Sequence, residues 1–226
     1  MKLVWSPETA SKAYLDTIQT CGMSTKSSIA EFLSAMAAGY NAKLTVEAWK
    51  SDNKINGHDS INTSIGLAIA TKHSRGRYVC VVPDEKSRLE YVGAMKNSGV
   101  SLPEVMVGEA KEVMERLNGV DFLIVDERRS DFISVFNSAK LSHHGAILVC
   151  NNGSKIRNIE CNKFSWDGVL NGKVCVIVRS VTLPFGNGIE IAYIASKDGN
   201  QKVRKYAKRW IRHIDRNSGE EHVIRI

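Results

Sequence analysis

The feature that most constrains this chain is an alternation between residues 26 and 150. Stretches with helical hydrophobic period alternate there with short runs rich in β-branched residues. That grammar builds a parallel sheet wrapped by helices, because each parallel connection needs a crossover that packs back on the sheet. The runs predict strands at Leu44–Glu47, Tyr78–Val82, Glu104–Val107, Phe122–Val125 and Ala146–Val149. Helices are expected at Lys26–Ala38, Ser64–Lys72, Glu85–Asn97, Lys111–Leu117 and Asp131–Ser138, with Ser130 or Asp131 as the cap of the last. After Asn151 the pattern changes. Val174–Val181 and Ile189–Ala195 flank Pro184-Phe185-Gly186-Asn187-Gly188 and read as an antiparallel pair closing the sheet. The polar stretches Lys50–Ser60 and Asn151–Lys163 read as loops.

At 226 residues and 43% hydrophobic, the chain can bury one sizeable core, which excludes a disordered or fibrous protein. No run approaches the ~20 apolar residues that cross a bilayer, and the start has no signal-peptide h-region. A soluble cytoplasmic or nuclear protein is therefore expected. The five cysteines, Cys21, Cys80, Cys150, Cys161 and Cys175, are odd in number and widely spaced, so neither a disulfide framework nor a zinc site is indicated.

The net charge of +7 is uneven: residues 197–226 hold nine Lys/Arg against four Asp/Glu. Val203, Tyr206, Trp210, Ile211 and Ile214 fall on one helical face, with Arg204, Lys205, Lys208, Arg209, Arg212 and Arg216 around it. The expectation is a domain over 1–196 followed by a basic amphipathic helix and tail over 197–226. Such a helix docks on its own domain, or meets nucleic acid or anionic membrane through residues 202–216.

Ligands of a parallel sheet gather beyond the carboxyl ends of its strands. That edge brings up Glu47, Pro83-Asp84-Glu85, Gly108-Glu109-Ala110, Asp126 and Cys150-Asn151-Asn152. Several acids and few lysines suit a ligand carrying hydroxyls and positive charge, such as a nucleoside with a sulfonium centre. No G-x-x-x-x-G-K-[ST], no G-x-G-x-x-G after a strand and no G-x-S-x-G occurs, which disfavours P-loop, kinase and hydrolase chemistry. His143 and His144 precede the fifth strand and fall at the opposite edge, where a solvated turn is the simpler reading.

The segments MSTKSSIAEFL, VGEA, VDFLIVDERRSDF and LPFGNGIEIAYI, in this order along the chain, resemble S-adenosylmethionine-dependent O-methyltransferases of the caffeoyl-CoA type over about residues 22–195. The opening KLVWSPETASKAY and the ending RWIRHIDRNSGEEHV resemble a plant family of uncharacterised Rossmann-fold relatives of those enzymes. The resemblance implies a Rossmann-like α/β methyltransferase fold: a mostly parallel seven-stranded sheet with a C-terminal antiparallel hairpin and helices on both faces. It implies S-adenosylmethionine as cofactor, a small-molecule oxygen or nitrogen acceptor, and a homodimer as a further expectation.

Carried over by position, Ser24 and Thr25 would border the cofactor, and Glu47 would sit near its amino-acid or ribose part. Ser64 would meet its carboxylate at a helix start, Ala110 would line the adenine, and Asp126 would approach the ammonium and the reacting centre as base or orienter. Each has a plain structural alternative: a turn cap for Asp126, an ion pair for Glu47, an N-cap for Ser64. The chain departs from the family at three places. The turn after the first strand reads AWKSDNKINGHDSIN, with only Gly57 for close backbone approach. Val82 stands where an acid would grip the ribose, leaving Asp84 as substitute. The metal-ligand positions read Asp126, Cys150 and Asn151, a poor set for magnesium, so no metal is expected. A catalytically silent binding or regulatory protein, or a polyanion binder acting through the tail, are the alternatives to an enzyme.

Overall fold

The structure, a computed structural model, describes residues 4–22, 28–50, 58–151, 164–171, 173, 175–184, 188–195, 210–214 and 221–225. Seven strands form the main sheet: β1 Leu44–Ala48, β2 Arg77–Val82, β3 Glu104–Val107, β5 Phe122–Asp126, β7 Ala146–Asn151, β8 Ile177–Leu183 and β9 Ile189–Ile194. Their order is β3-β2-β1-β5-β7-β9-β8. The first five run parallel, while β9 is antiparallel to β7 and to β8. Two short strands, β4 Asn118–Val120 and β6 Lys140–Leu141, pair beside the sheet.

Central strands are apolar on both faces because helices cover both. On one face Cys80, Val82, Phe122, Ile124, Ile147 and Val149 meet α2 (Ser28–Gly39), α3 (His58–Ser74) and α4 (Glu85–Asn97). On the other Val46, Val79, Leu123, Val125 and Leu148 meet α5 (Ala110–Arg116), α6 (Phe132–Ser138) and α7 (Trp166–Val169). Burial of each such side chain contributes about 1.5–3 kcal/mol. Asp121 sets the register where β1 begins, its Oδ2 accepting from the backbone N–H groups of Lys43 at 2.8 Å and Leu44 at 3.0 Å.

A first helix, α1 (Pro7–Cys21), was not expected. Ser6 caps it, accepting from Thr9 N–H, and Pro7 opens it. Its buried face is Ala10, Ala13 and Thr17, and the Thr17 hydroxyl donates to Ser34 Oγ on α2 at 2.9 Å. The Trp5 ring lies over Gly39, whose added Cβ would meet ring atoms at 2.4 Å, and Ser6 N–H donates to Gly39 O.

Expected β3 and α4 have the observed bounds, and most others differ by one to three residues. Three expectations are corrected. Helix α3 starts at His58, so Ser64 lies in its second turn, not at a helix start, and the loop from Lys50 ends before Ser60. Asn151 belongs to β7, not to the loop that follows. In the tail, Trp210–Ile214 is a strand, β10, paired antiparallel with β11, Glu221–Arg225, so the basic helix over 202–216 does not hold there. β-Branched Ile211, Ile214, Val223 and Ile224, with the turn formers Asn217, Ser218 and Gly219 between them, favour a hairpin over a helix. Residues 202–209 lie outside the described residues. Among the described residues no helix is long and apolar enough to cross a membrane.

Candidate functional site at the carboxyl edge of the sheet

Glu47 sits one residue from the end of β1, on the face shared by Thr45 and Trp49, and is 5% exposed. Parallel register sets it opposite Cys80, so the period of two puts Tyr78, Cys80 and Val82 on the same face. Tyr78 donates its hydroxyl to Glu47 Oε2 at 2.5 Å, and Ser64 Oγ donates to the same oxygen at 2.8 Å. Tyr91 of α4 joins through its hydroxyl, 3.1 Å from that of Tyr78. Three elements thus converge on one carboxyl group, and no cation meets it among its described hydrogen-bond partners.

Burial pushes the Glu47 carboxyl up to about 7 against the downward pull of the Tyr78 and Ser64 hydroxyls, and the charge of Asp126 adds to the rise. Burial, followed by the charge of Glu47, holds the hydroxyl of Tyr78 and the thiol of Cys80 well above their usual ranges, so both are protonated donors. Trp49, next after β1, is 6% exposed and packs edge-on to Tyr91 with ring centroids 5.3 Å apart. Its indole N–H is buried without a hydrogen-bond partner.

Asp126 ends β5 and is taken up locally. Its Oδ1 accepts from Arg128 N–H at 2.8 Å, while the Arg128 guanidinium reaches Oδ1 through Nε at 2.9 Å and Oδ2 through Nη2 at 2.5 Å. The structural alternative, a turn cap, is thus part of its role. Arg129 braces the neighbouring turn, donating to Trp49 O at 3.0 Å and to Asp131. Glu127 follows, with both carboxylate oxygens shielded and unpartnered; burial raises its pKa, and the charges of Asp126 and Glu190 add to that.

Asp84 is exposed. It caps α4, its Oδ1 accepting from Ser87 N–H at 2.7 Å, and those hydrogen bonds hold its carboxyl below the usual range. Val82 is fully buried and apolar. Gly108 turns the chain out of β3 at φ 145°, a conformation that favours glycine, and delivers Ala110 fully buried to the start of α5. Asn151 pairs in register with Asp126, and Cys150 beside it is buried with its thiol pushed up by that burial. Among the described residues no three His, Cys, Asp or Glu side chains are grouped to hold a metal ion. Ser24 and Thr25 lie outside the described residues. The His143 and His144 rings lie ahead of β7, at the opposite edge, with centroids 3.7 Å apart and planes tilted by 45°.

The strand ends therefore bring Glu47 and Asp126 within electrostatic reach of each other, put Ala110 at the same edge, and leave Asp84 on the outer helix start. Sequence reasoning did not single out Tyr78, Tyr91, Trp49 or Arg128 as site residues. Strand alternation from Glu47 through register partner Cys80 is the signal that would have found Tyr78.

One family model, described as a protein of unknown function, DUF1442, matches residues 1–226. The chain belongs to the DUF1442 family. No curated protein matches its sequence. Among solved structures, this DUF1442 chain is similar to a methyltransferase of Podospora anserina bound to SAH, at 15% identity and TM-score 0.56, over 86% of this chain and 90% of the other. It is also similar to the O-methyltransferase TomG of Streptomyces achromogenes in complex with SAM, at 21% identity and TM-score 0.55, over 86% and 92%. An O-methyltransferase of Bacillus cereus in complex with SAH follows at 17% identity and TM-score 0.53, over 85% and 93%. At such identities the likeness shows the fold: the DUF1442 chain has the α/β methyltransferase architecture, with a mostly parallel seven-stranded sheet.

Proposed function

We propose that this DUF1442 protein is an S-adenosylmethionine-dependent methyltransferase acting on an oxygen or nitrogen nucleophile of a small molecule, without a metal ion. The observation that carries the reading is Glu47: a fully buried carboxyl at the carboxyl edge of the central strand, held by two hydroxyls and lacking a cationic partner among its described hydrogen bonds. A ligand bearing positive charge is the partner such a group lacks. The similar structures in complex with SAM or SAH support the same ligand class.

The residues fit that ligand at Glu47, at the Gly108–Ala110 turn and at Asp126; at the ribose the fit rests on Asp84 alone, since Val82 offers no acceptor. When bound, S-adenosylmethionine supplies a methyl group on a sulfonium centre. Glu47 would hold the cationic part of the donor, positioned by Tyr78 and Ser64. Ala110 would give the base an apolar seat. Asp126, steered by the Arg128 fork, would orient the acceptor or take its proton, with rate gained by alignment and exclusion of water.

A second reading, a binding protein of this fold without turnover, is favoured by one observation: the Arg128 guanidinium already engages both Asp126 oxygens. Calorimetric titration with S-adenosylmethionine and S-adenosylhomocysteine, followed by transfer of labelled methyl to a metabolite extract, separates the two. Binding with transfer supports the enzyme, binding without transfer supports the silent protein, and no heat from either nucleoside refutes both.

A further inference from the structure

Two groups at the carboxyl edge have unmet needs of opposite sign, and both belong to one short stretch of chain. Glu47, 5% exposed, lacks a cation among its described hydrogen bonds. Trp49, two residues on and 6% exposed, keeps its indole N–H buried with no acceptor. A donor shut away from water in this way forfeits the hydrogen bond it makes in the unfolded chain, which is a costly and uncommon arrangement. Looseness does not explain it. The backbone N–H of Trp49 donates to Val81 O at 3.0 Å, carrying the β1–β2 ladder one residue past Ala48, and Arg129 Nη1 donates to Trp49 O at 3.0 Å. Tyr91 holds the ring edge-on. The indole is therefore fixed while its N–H is left unspent.

Extended backbone puts alternate residues on one face, with Cα atoms about 6.5–7 Å apart. Glu47 and Trp49 stand on the face covered by α3 and α4, where Ser64 meets the first and Tyr91 the second. A ligand complementary to both carries a cationic nitrogen and an anionic oxygen a few bonds apart, which is the chemistry of an α-amino acid group. Neighbouring donors are already committed: Ser64 and Tyr78 give their hydroxyl protons to Glu47, Arg128 forks onto Asp126 and Arg129 onto Asp131.

Resting on the methyl-donor reading of this edge, we propose that the Trp49 indole N–H is a ligand-binding donor. It takes a carboxylate oxygen of the same molecule whose ammonium meets Glu47, and so makes the site select ligands with an intact amino-acid end. Shielding strengthens such a bond, because water does not compete for the donor. Trp166 also has a buried N–H without an acceptor, but it lies on the opposite face of the sheet against Phe136 and serves as the control.

Calorimetric titration of the full chain with S-adenosylhomocysteine and with methylthioadenosine, which has the same nucleoside and a thioether but no amino-acid end, reads this selection. Trp49→Phe keeps a ring for Tyr91 and removes the donor. It should weaken S-adenosylhomocysteine about tenfold or more and leave methylthioadenosine unchanged, while Trp166→Phe alters neither. Equal weakening of both ligands, which lost packing alone would give, overturns the assignment, and so does unchanged binding of both. Because Trp49→Phe can fail to fold, the indole N–H resonances of the native chain are followed as well. S-adenosylhomocysteine should move the Trp49 signal and methylthioadenosine should not. A Trp49 signal that stays in place at saturation, or moves equally with both, overturns the proposal while the methyl-donor reading stands; no heat from S-adenosylhomocysteine with the native chain overturns both.

Discussion

Replacing Glu47 by glutamine tests the physics of the site without any ligand. The carboxyl lies at about 7 in the folded chain against an ordinary value of 4.5, with burial as the main cause. Between those two values the folded state binds more protons than the unfolded one, so raising the pH through this window costs stability, and above the folded value the loss is complete. At about 1.4 kcal/mol per unit, the span is worth about 3 kcal/mol. Glutamine keeps an oxygen to accept from Tyr78 and Ser64 but carries no charge, so it removes the titration and retains both hydrogen bonds. Urea denaturation of both proteins at pH 5, 6, 7 and 8 reads the result. The stability of the native chain relative to Glu47→Gln should fall by up to about 3 kcal/mol over that range, leaving the glutamine variant the more stable at pH 8. A difference that stays flat, or that rises with pH, would refute the argument that Glu47 is buried without a cation.

Tyr78→Phe removes the shorter of the two hydroxyls on Glu47 and one partner of Tyr91, and should cost about 1–3 kcal/mol at pH 8, less at pH 5 where the carboxyl is protonated; denaturant midpoints at the two pH values check it. Gly66→Ala should destabilise by about 1–3 kcal/mol, because the new Cβ would lie 2.6 Å from the Ala30 carbonyl oxygen where α2 and α3 touch; thermal unfolding measures it. Asp121→Ala strips two backbone N–H groups at the start of β1 of their acceptor and should cost about 2 kcal/mol, with amide exchange speeding up at Lys43 and Leu44.

The sheet was legible because parallel strands covered on both faces must be apolar throughout, as Phe122–Val125 and Ala146–Val149 are. Helix α1 was missed although Ser6-Pro7-Glu8 is a sound helix start: its inward face is made of small residues, Ala10, Ala13 and Thr17, which give almost no hydrophobic period. In the tail, Trp210–Ile214 satisfies a helical stripe and a strand alike, and only a partner run such as Glu221–Arg225 decides between them. At the site, position along the chain put Glu47, Ala110 and Asp126 at one edge. It did not disclose that Ser64, 17 residues from Glu47, and Tyr78, 31 residues away, would spend their hydroxyls on its carboxyl, because those bonds depend on helix phase and strand register together. Asp84 has a local use that position along the chain did not disclose: an aspartate just before a helix serves its free amide at Ser87.

The seating of Trp5 on Gly39 and of Thr17 on Ser34 means that the N-terminal helix is stitched to the domain at both of its ends. A shortened version beginning near Ser28 would therefore strand the Ser34 hydroxyl and bare the surfaces of α2 and α3 that α1 covers. Anyone trimming the protein for crystallisation should keep this opening segment whole, and should attach affinity handles by a spacer ahead of Trp5, not by replacing it.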